Sequence, residues 1–325
     1  MELSLDALRP IVAHLAHLRA AYAHVFSDLD LVEPTREFFP DPITLEPEAI
    51  DQLLRRMMTY APLSTNLRVQ IHYAFEQADT AEGHGANRCG SGACSSPAEN
   101  VGRSRAAAWR GVMETDEGYA VALSEHDISD PALLAAALAR AVGRIVLFEA
   151  NEAIPSGAGA EPFLSELTAV SCGLGTLLFN ASCIYKKGCG GLRRHQGTFV
   201  SVEELAFACA LFVRVRGVSP NRVHRHLAAT QQEAFGHALR WLHDQPNLVR
   251  TLVEQPALVS DGIFAVEEKK SWFARIFSLG TSEAMPEAEI SMPASTPRRS
   301  PPRSEQHKQR LAKLKQLTEE ALHDS

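Results

Sequence analysis

Apolar side chains recur at helical spacing from the start of the chain. Leu5, Leu8, Ile11, Val12, Leu15, Leu18, Tyr22 and Val25 predict a helix over 3–27. The same period predicts a helix over 47–60, opened by Pro47, with Ile50, Leu53, Leu54 and Met57 as its stripe. A third helix spans 131–150. Asp130-Pro131 offers a cap residue followed by a first-turn proline, and Leu134, Leu138, Ala141, Ile145 and Phe148 form its apolar side. Further helices are predicted over 163–185, 202–216 and 220–243. Ser201 with Glu203-Glu204 reads as a capping region, and Ser219-Pro220 opens the last of the three. The echo of Gln245-Pro246 in Gln255-Pro256 predicts two short helical turns. Alternation is rarer. Leu67 to Phe75 reads as a strand, and Trp109–Glu114 with Tyr119–Leu123 read as a hairpin around Thr115-Asp116-Glu117-Gly118.

Breakers divide these elements. Residues 79–105, with Gly83, Gly85, Gly90 and Gly92, predict an exposed loop, and 188–197 a second one. Beyond Phe277, prolines and small polar residues replace core formers. The expected organisation is a helical domain over 1–278, a disordered Pro/Ser-rich linker over 279–304, and a short amphipathic helix over 305–325. The fold class expected is mostly helical α+β, with a small antiparallel sheet packed on a helix pair and a disordered C-terminal tail.

Composition adds mainly exclusions. The 325 residues are 45% hydrophobic and 22% charged, as in ordinary globular proteins. Thirty-two Lys+Arg against 39 Asp+Glu give a net charge of −7, so nucleic acid is not an expected partner. Met1-Glu2-Leu3-Ser4-Leu5-Asp6 has neither a basic nor an apolar leader pattern, and the expected location is cytoplasmic, with reduced thiols. Leu167 to Tyr185 carries no formal charge, but its Thr, Ser, Gly and Asn content favours a buried central helix over a membrane span.

Several residue groups could carry chemistry. His14 and His17 share a helix face and could touch a metal or simply pack. Cys89 and Cys94 could bind zinc only with a second pair of ligands, so free thiols in a loop are favoured. His224 and His226, two apart, do not share a face. Lys269, Lys270, Trp272, Phe273 and Arg275 mix cations with large apolar groups. They can close the domain, dock into a partner or lie on an anionic membrane surface. Leu311, Leu314, Leu317 and Leu322 give the terminal segment an apolar stripe for a protein partner.

The order hairpin, helix, loop, apolar helix resembles zinc metallopeptidases of the gluzincin kind, over roughly residues 107–217 and more loosely over 33–76. There Pro34-Thr35 and Phe38-Phe39-Pro40 are similar to uncharacterised bacterial relatives with this helix pair. In that family the first helix carries His-Glu-x-x-His: two imidazoles one turn apart hold zinc and the Glu polarises the bound water. Here the segment reads Leu138-Ala139-Arg140-Ala141-Val142-Gly143-Arg144-Ile145-Val146-Leu147. The helix frame, the glycine before the second ligand position and the apolar flanks match. Both histidine positions are arginine and the glutamate position is alanine. Glu161 and Glu166 are both candidates for the family's acidic position on the next helix.

Arginine stays protonated and does not ligate a cation, and Ala141 cannot act as a base. The resemblance therefore implies a degenerate site made of Arg140, Ala141, Arg144, Glu161 and Glu166, with no catalytic residue, no metal and no cofactor. The expected function is a metallopeptidase-like pseudoenzyme acting through protein–protein interaction. The alternatives are a hydrolase with a rebuilt or different site, and a membrane-surface adaptor using residues 269–277.

Overall fold

A computed structural model describes residues 5–26, 29–42, 44–74, 111–152, 159–188, 191–262 and 264. The chain divides into units 1–268 and 269–325, and every described residue lies in the first. The loop expected over 79–105, the linker over 279–304 and the terminal helix over 305–325 lie outside the described residues.

The central element is the predicted capped helix, α4 (Pro131–Glu149). Asp130 accepts the backbone N–H of Ala132 and Pro131 occupies the first turn. Thirteen of its nineteen residues are buried, so it is covered on nearly every side. Leu134, Leu138, Val142 and Ile145 are fully enclosed. Each such side chain contributes about 1.5–3 kcal/mol relative to exposure. Around α4 lie α3 (Pro47–Tyr60), α5 (Ala160–Ala169) and α6 (Gly175–Ala181). Two helices, Pro131–Glu149 and Ala160–Ala181, are long and apolar enough to cross a membrane, but 67% and 83% of their apolar windows are buried inside the protein.

The contact between α4 and α5 is unusually close. A Cβ on Gly143 would sit 2.0 Å from the carbonyl oxygen of Ser165 and 2.8 Å from the amide of Ala169. Only glycine admits the neighbouring backbone there. A second close approach breaks the helix expected over 163–185. Between α5 and α6, residues Val170–Leu174 form a π-type turn in which Gly173 has φ +84. Its carbonyl accepts the amide of Val32 at 3.0 Å, and a Cβ would meet the Asp30 carbonyl at 2.0 Å. The helix thus opens to take in the 30–32 segment.

Three strands, β1 (Val69–Ala74), β2 (Gly111–Thr115) and β3 (Gly118–Ser124), form a sheet in the order β1-β3-β2. The hairpin β2–β3 is antiparallel as expected, but β1 runs parallel to β3, from Val69 opposite Tyr119 to Ala74 opposite Ser124. The α+β, mostly helical fold class stands. The sheet is mixed rather than purely antiparallel, because sequence alternation gives no strand direction. A second hairpin, β4 (Ile184–Gly188) with β5 (Gly191–His195), replaces the loop expected over 188–197.

The rest is helical. α1 (Leu5–Ala21) is followed by the short α2 (Ala23–Phe26). α7 (Val202–Arg216) opens with a full capping box between Ser201 and Glu204. The helix expected over 220–243 is interrupted: α8 (Asn221–His224) is one turn, and α9 (Ala229–His243) follows. The two short turns foreseen from the proline echo are α10 (Pro246–Glu254) and α11 (Pro256–Ser260), and α11 packs on α1.

The interruption before α9 fastens that region to the 30–33 segment. Buried Glu33 accepts Arg222 Nε at 2.6 Å, is bonded by Arg225, and has His226 Nε2 at 2.9 Å. Arg222 also reaches Asp30 at 3.0 Å and the Leu31 carbonyl at 3.2 Å. Burial pushes the Glu33 carboxyl up, but hydrogen bonds from Arg225, Arg222 and His226 outweigh it and hold the carboxyl down at about 2. A carboxyl whose folded pKa lies below its unfolded one stabilises the fold at higher pH and loses that contribution as pH falls. The stability gap between the wild type and Glu33→Gln should therefore be full above about pH 4.5 and shrink toward pH 2, read as urea midpoints against pH. A gap independent of pH would show that Glu33 is not ionised in the folded chain.

Candidate functional site

Arg140 and Arg144 lie one turn apart on α4 and so share a face, here directed at α5. Arg140 donates from Nε to Glu166 Oε1 at 2.9 Å and from Nη2 to the Gly197 carbonyl at 3.0 Å. Its guanidinium lies 4.9 Å from the centre of the Phe199 ring. Glu166, with no exposed surface, also accepts the backbone amides of Phe199, at 3.0 and 3.1 Å, and Val200, at 2.8 Å. Every partner of this carboxylate is an N–H donor, which suits its ionised form. Burial pushes its pKa up from the ordinary range, opposed by Arg140 and the two amides.

The second pair is looser. Arg144 Nε lies 2.9 Å from Glu161 Oε1, as an ion contact without the straight N–H···O angle of a hydrogen bond. Glu161 is 46% exposed, and the Arg144 guanidinium lies 3.9 Å from the centre of the Phe148 ring. Burial lowers the pKa of Arg144 and Glu161 opposes that shift. Ala141, between the arginines, is buried and brings only a methyl group. The structure thus brings together all five residues singled out at this seam and assigns them: Glu166 to Arg140, Glu161 to Arg144. Sequence did not point to Gly197, Phe199 and Val200, which complete the shell through backbone groups, with the Phe199 ring added against Arg140.

Behind the seam, α5 meets α1. His14 Nε2 lies 2.9 Å from Thr168 Oγ1. Burial, followed by the charge of His17, lowers the His14 pKa to about 4, so the ring is neutral near pH 7. His17 Nε2 sits 3.0 Å from Glu152 Oε2, and that carboxylate raises its pKa. Tyr22 donates to Glu152 Oε1 at 2.6 Å. The two histidines therefore have separate partners. Among the described residues no group of three or more His, Cys, Asp or Glu side chains is arranged to hold a metal.

His226 belongs to the Glu33 cluster and His224 is exposed. Cys89, Cys94, Lys269, Lys270, Trp272, Phe273, Arg275, Leu311, Leu314, Leu317 and Leu322 lie outside the described residues. No protein-family model, curated protein or solved structure matches the chain.

The two pairs should respond differently to loss of the cation. Arg140→Met strands a fully buried carboxylate and should cost about 3–5 kcal/mol. Arg144→Met leaves a carboxylate that water can reach and should cost about 1 kcal/mol or less. Guanidinium denaturation of both variants checks this, and equal losses would contradict the difference in burial.

Proposed function

We propose that the chain is a non-catalytic protein built on a metallopeptidase-like helix pair, with arginine–carboxylate pairs at the position a metal would occupy, and that it acts by binding another protein. The observation that supports this reading is the facing of Arg140 and Arg144 toward Glu166 and Glu161 across α4 and α5. Two guanidinium groups at one-turn spacing supply positive charge to carboxylates that could otherwise face a cation, while offering no lone pair to zinc. Ala141 has no proton acceptor with which to activate water. On this reading the seam is structural, and the working surface lies elsewhere on a cytoplasmic protein. The partner-binding elements are the cationic-aromatic segment Lys269–Phe277 and the Leu311, Leu314, Leu317 and Leu322 stripe. Lys308, Arg310, Lys313 and Lys315 would steer that stripe toward an acidic partner.

Two preparations, the full chain and a truncated one, test the two halves. The purified full chain should cleave no peptide in a manner that a chelator abolishes and zinc restores. Stoichiometric tight zinc with such activity would overturn the reading in favour of a hydrolase. Removing residues 281–325 should leave the melting temperature of the remaining chain nearly unchanged and weaken recovery of its partner from host extract. Unchanged recovery would remove the terminal segment from the proposal, and a large fall in melting temperature would make it part of the fold.

A further inference from the structure

The β4–β5 hairpin brings together two cationic pairs that lie apart in the chain. Lys186-Lys187 stand on β4 and Arg193-Arg194 on β5. The antiparallel register sets Lys186 opposite Arg193, Tyr185 opposite Arg194 and Lys187 opposite Leu192. Strand parity then places Tyr185, Lys187 and Arg194 on one face, and Lys186 with Arg193 on the other. No carboxylate residue occurs in the sequence between Glu166 and Glu203. The chain's net charge of −7 hides this local excess of cations.

The root of the hairpin is held by the helical domain. Ile184 packs against the core, the Gln231 side chain donates to the Cys183 carbonyl at 3.3 Å, and the Gly197 amide donates to the Ala181 carbonyl at 2.9 Å. Tyr185 is 49% exposed, with its hydroxyl 3.3 Å from Thr230 Oγ1, so its face is the outer one at the root. Phe199, two residues past Gly197, is a second exposed ring. Among the described residues the two strands pair with no third strand. A two-stranded ribbon is marginal by itself, and like charges directly opposite, as Lys186 and Arg193 are, weaken it further. A polyanion laid along the hairpin would turn that repulsion into attraction, one phosphate answering each cation.

We propose that the β4–β5 hairpin is a docking surface for single-stranded nucleic acid, with Lys186, Lys187, Arg193 and Arg194 on the phosphate backbone and a base stacked on the Tyr185 ring. Charge alone fits any polyanion, and the exposed ring decides among them. A half-exposed ring among cations offers a flat face to every base, the chemistry of sequence-tolerant strand binding. Carboxylates of an acidic protein surface would use the cations and leave the ring idle. A bilayer needs apolar side chains to insert. The only aliphatic residues of the two strands are Leu192 and Ile184, and Ile184 is already packed against the core. This inference goes beyond the proposed function and does not rest on it, since neither the tail segments nor the arginine–carboxylate pairs take part.

The probe is a dye-labelled oligothymidylate of about twenty nucleotides, longer than one such site, titrated with the full-length chain and followed by anisotropy. Saturable binding is expected. Four phosphate contacts give a log–log salt slope near −3, so the hairpin should lose about fiftyfold in affinity between about 50 and 200 mM salt. Changing all four cations to glutamine (K186Q, K187Q, R193Q and R194Q together) should flatten the slope by about that amount, whatever the basic residues of the tail add. Should that variant fold poorly, Lys187→Gln and Arg194→Gln alone should each flatten it by about 0.7. Tyr185→Ala should weaken binding about tenfold and keep the slope. Tyr185→Phe, which keeps the ring and loses the hydroxyl contact with Thr230, should bind like the wild type. A duplex of the same length should bind more weakly, since its bases are closed to the ring. No saturable binding, a quadruple variant with unchanged slope, Tyr185→Ala binding like the wild type, or a duplex binding as tightly would each overturn the proposal. So would phosphatidylserine vesicles or polyglutamate displacing the oligonucleotide at equal charge, which would assign the hairpin to a membrane or to an acidic protein.

Discussion

A carboxylate with none of its surface in water must be matched by donors, and Glu166 is the group to which the centre of this protein is tied. It projects from α5, takes a guanidinium N–H from α4 through Arg140, and takes two amides from the residues leading into α7. Those amides, of Phe199 and Val200, immediately precede the Ser201 cap, so the same carboxylate that joins α4 to α5 also sets where α7 begins. The contact is possible because Gly143, between the two arginines in sequence, lets the α5 backbone approach to a distance that a methyl group would block. Close backbone approach and buried charge are thus one constraint. If the helices separate, the carboxylate loses its cation. If the cation is lost, the helices hold an uncompensated charge between them.

Much of the helical framework was legible because local chemistry and tertiary packing agree there. Pro47, Asp130-Pro131 and the Ser201 capping box mark helix starts that the structure reproduces, and α7 runs over the predicted 202–216. The failures lie where a distant contact decides. The helix expected over 163–185 opens at Gly173 because a segment more than 140 residues earlier needs that carbonyl. The helix expected over 220–243 breaks because Arg222, Arg225 and His226 converge on Glu33. The β4–β5 hairpin carries Lys186, Lys187, Arg193 and Arg194, a polar run without the alternation that signals a half-buried strand. The parallel pairing of β1 with β3 is a matter of chain path, which alternation does not encode.

The candidate site was legible to a similar depth. One-turn spacing placed Arg140 and Arg144 on a common face, and two glutamates on the following helix were the available partners. Which glutamate met which arginine depended on the stagger of α4 and α5, a tertiary quantity. On the proposed reading, replacing metal ligands by arginines keeps the charge at the seam balanced. A covalently attached cation needs no binding equilibrium, so the helix pair is held together whatever the supply of metal. The cost is that guanidinium groups turned toward Glu166 and Glu161, on side chains only 19% and 16% exposed, are poorly placed to recognise a substrate. That is why the working surface of the proposed interaction protein is sought away from the seam.

Arginines of the described fold tie its elements together through the carboxylates that answer their charge. Arg140 has Glu166, Arg144 has Glu161, and Arg222 and Arg225 share Glu33. In each case the carboxylate comes from a different element, so the pair also acts as a tertiary tie.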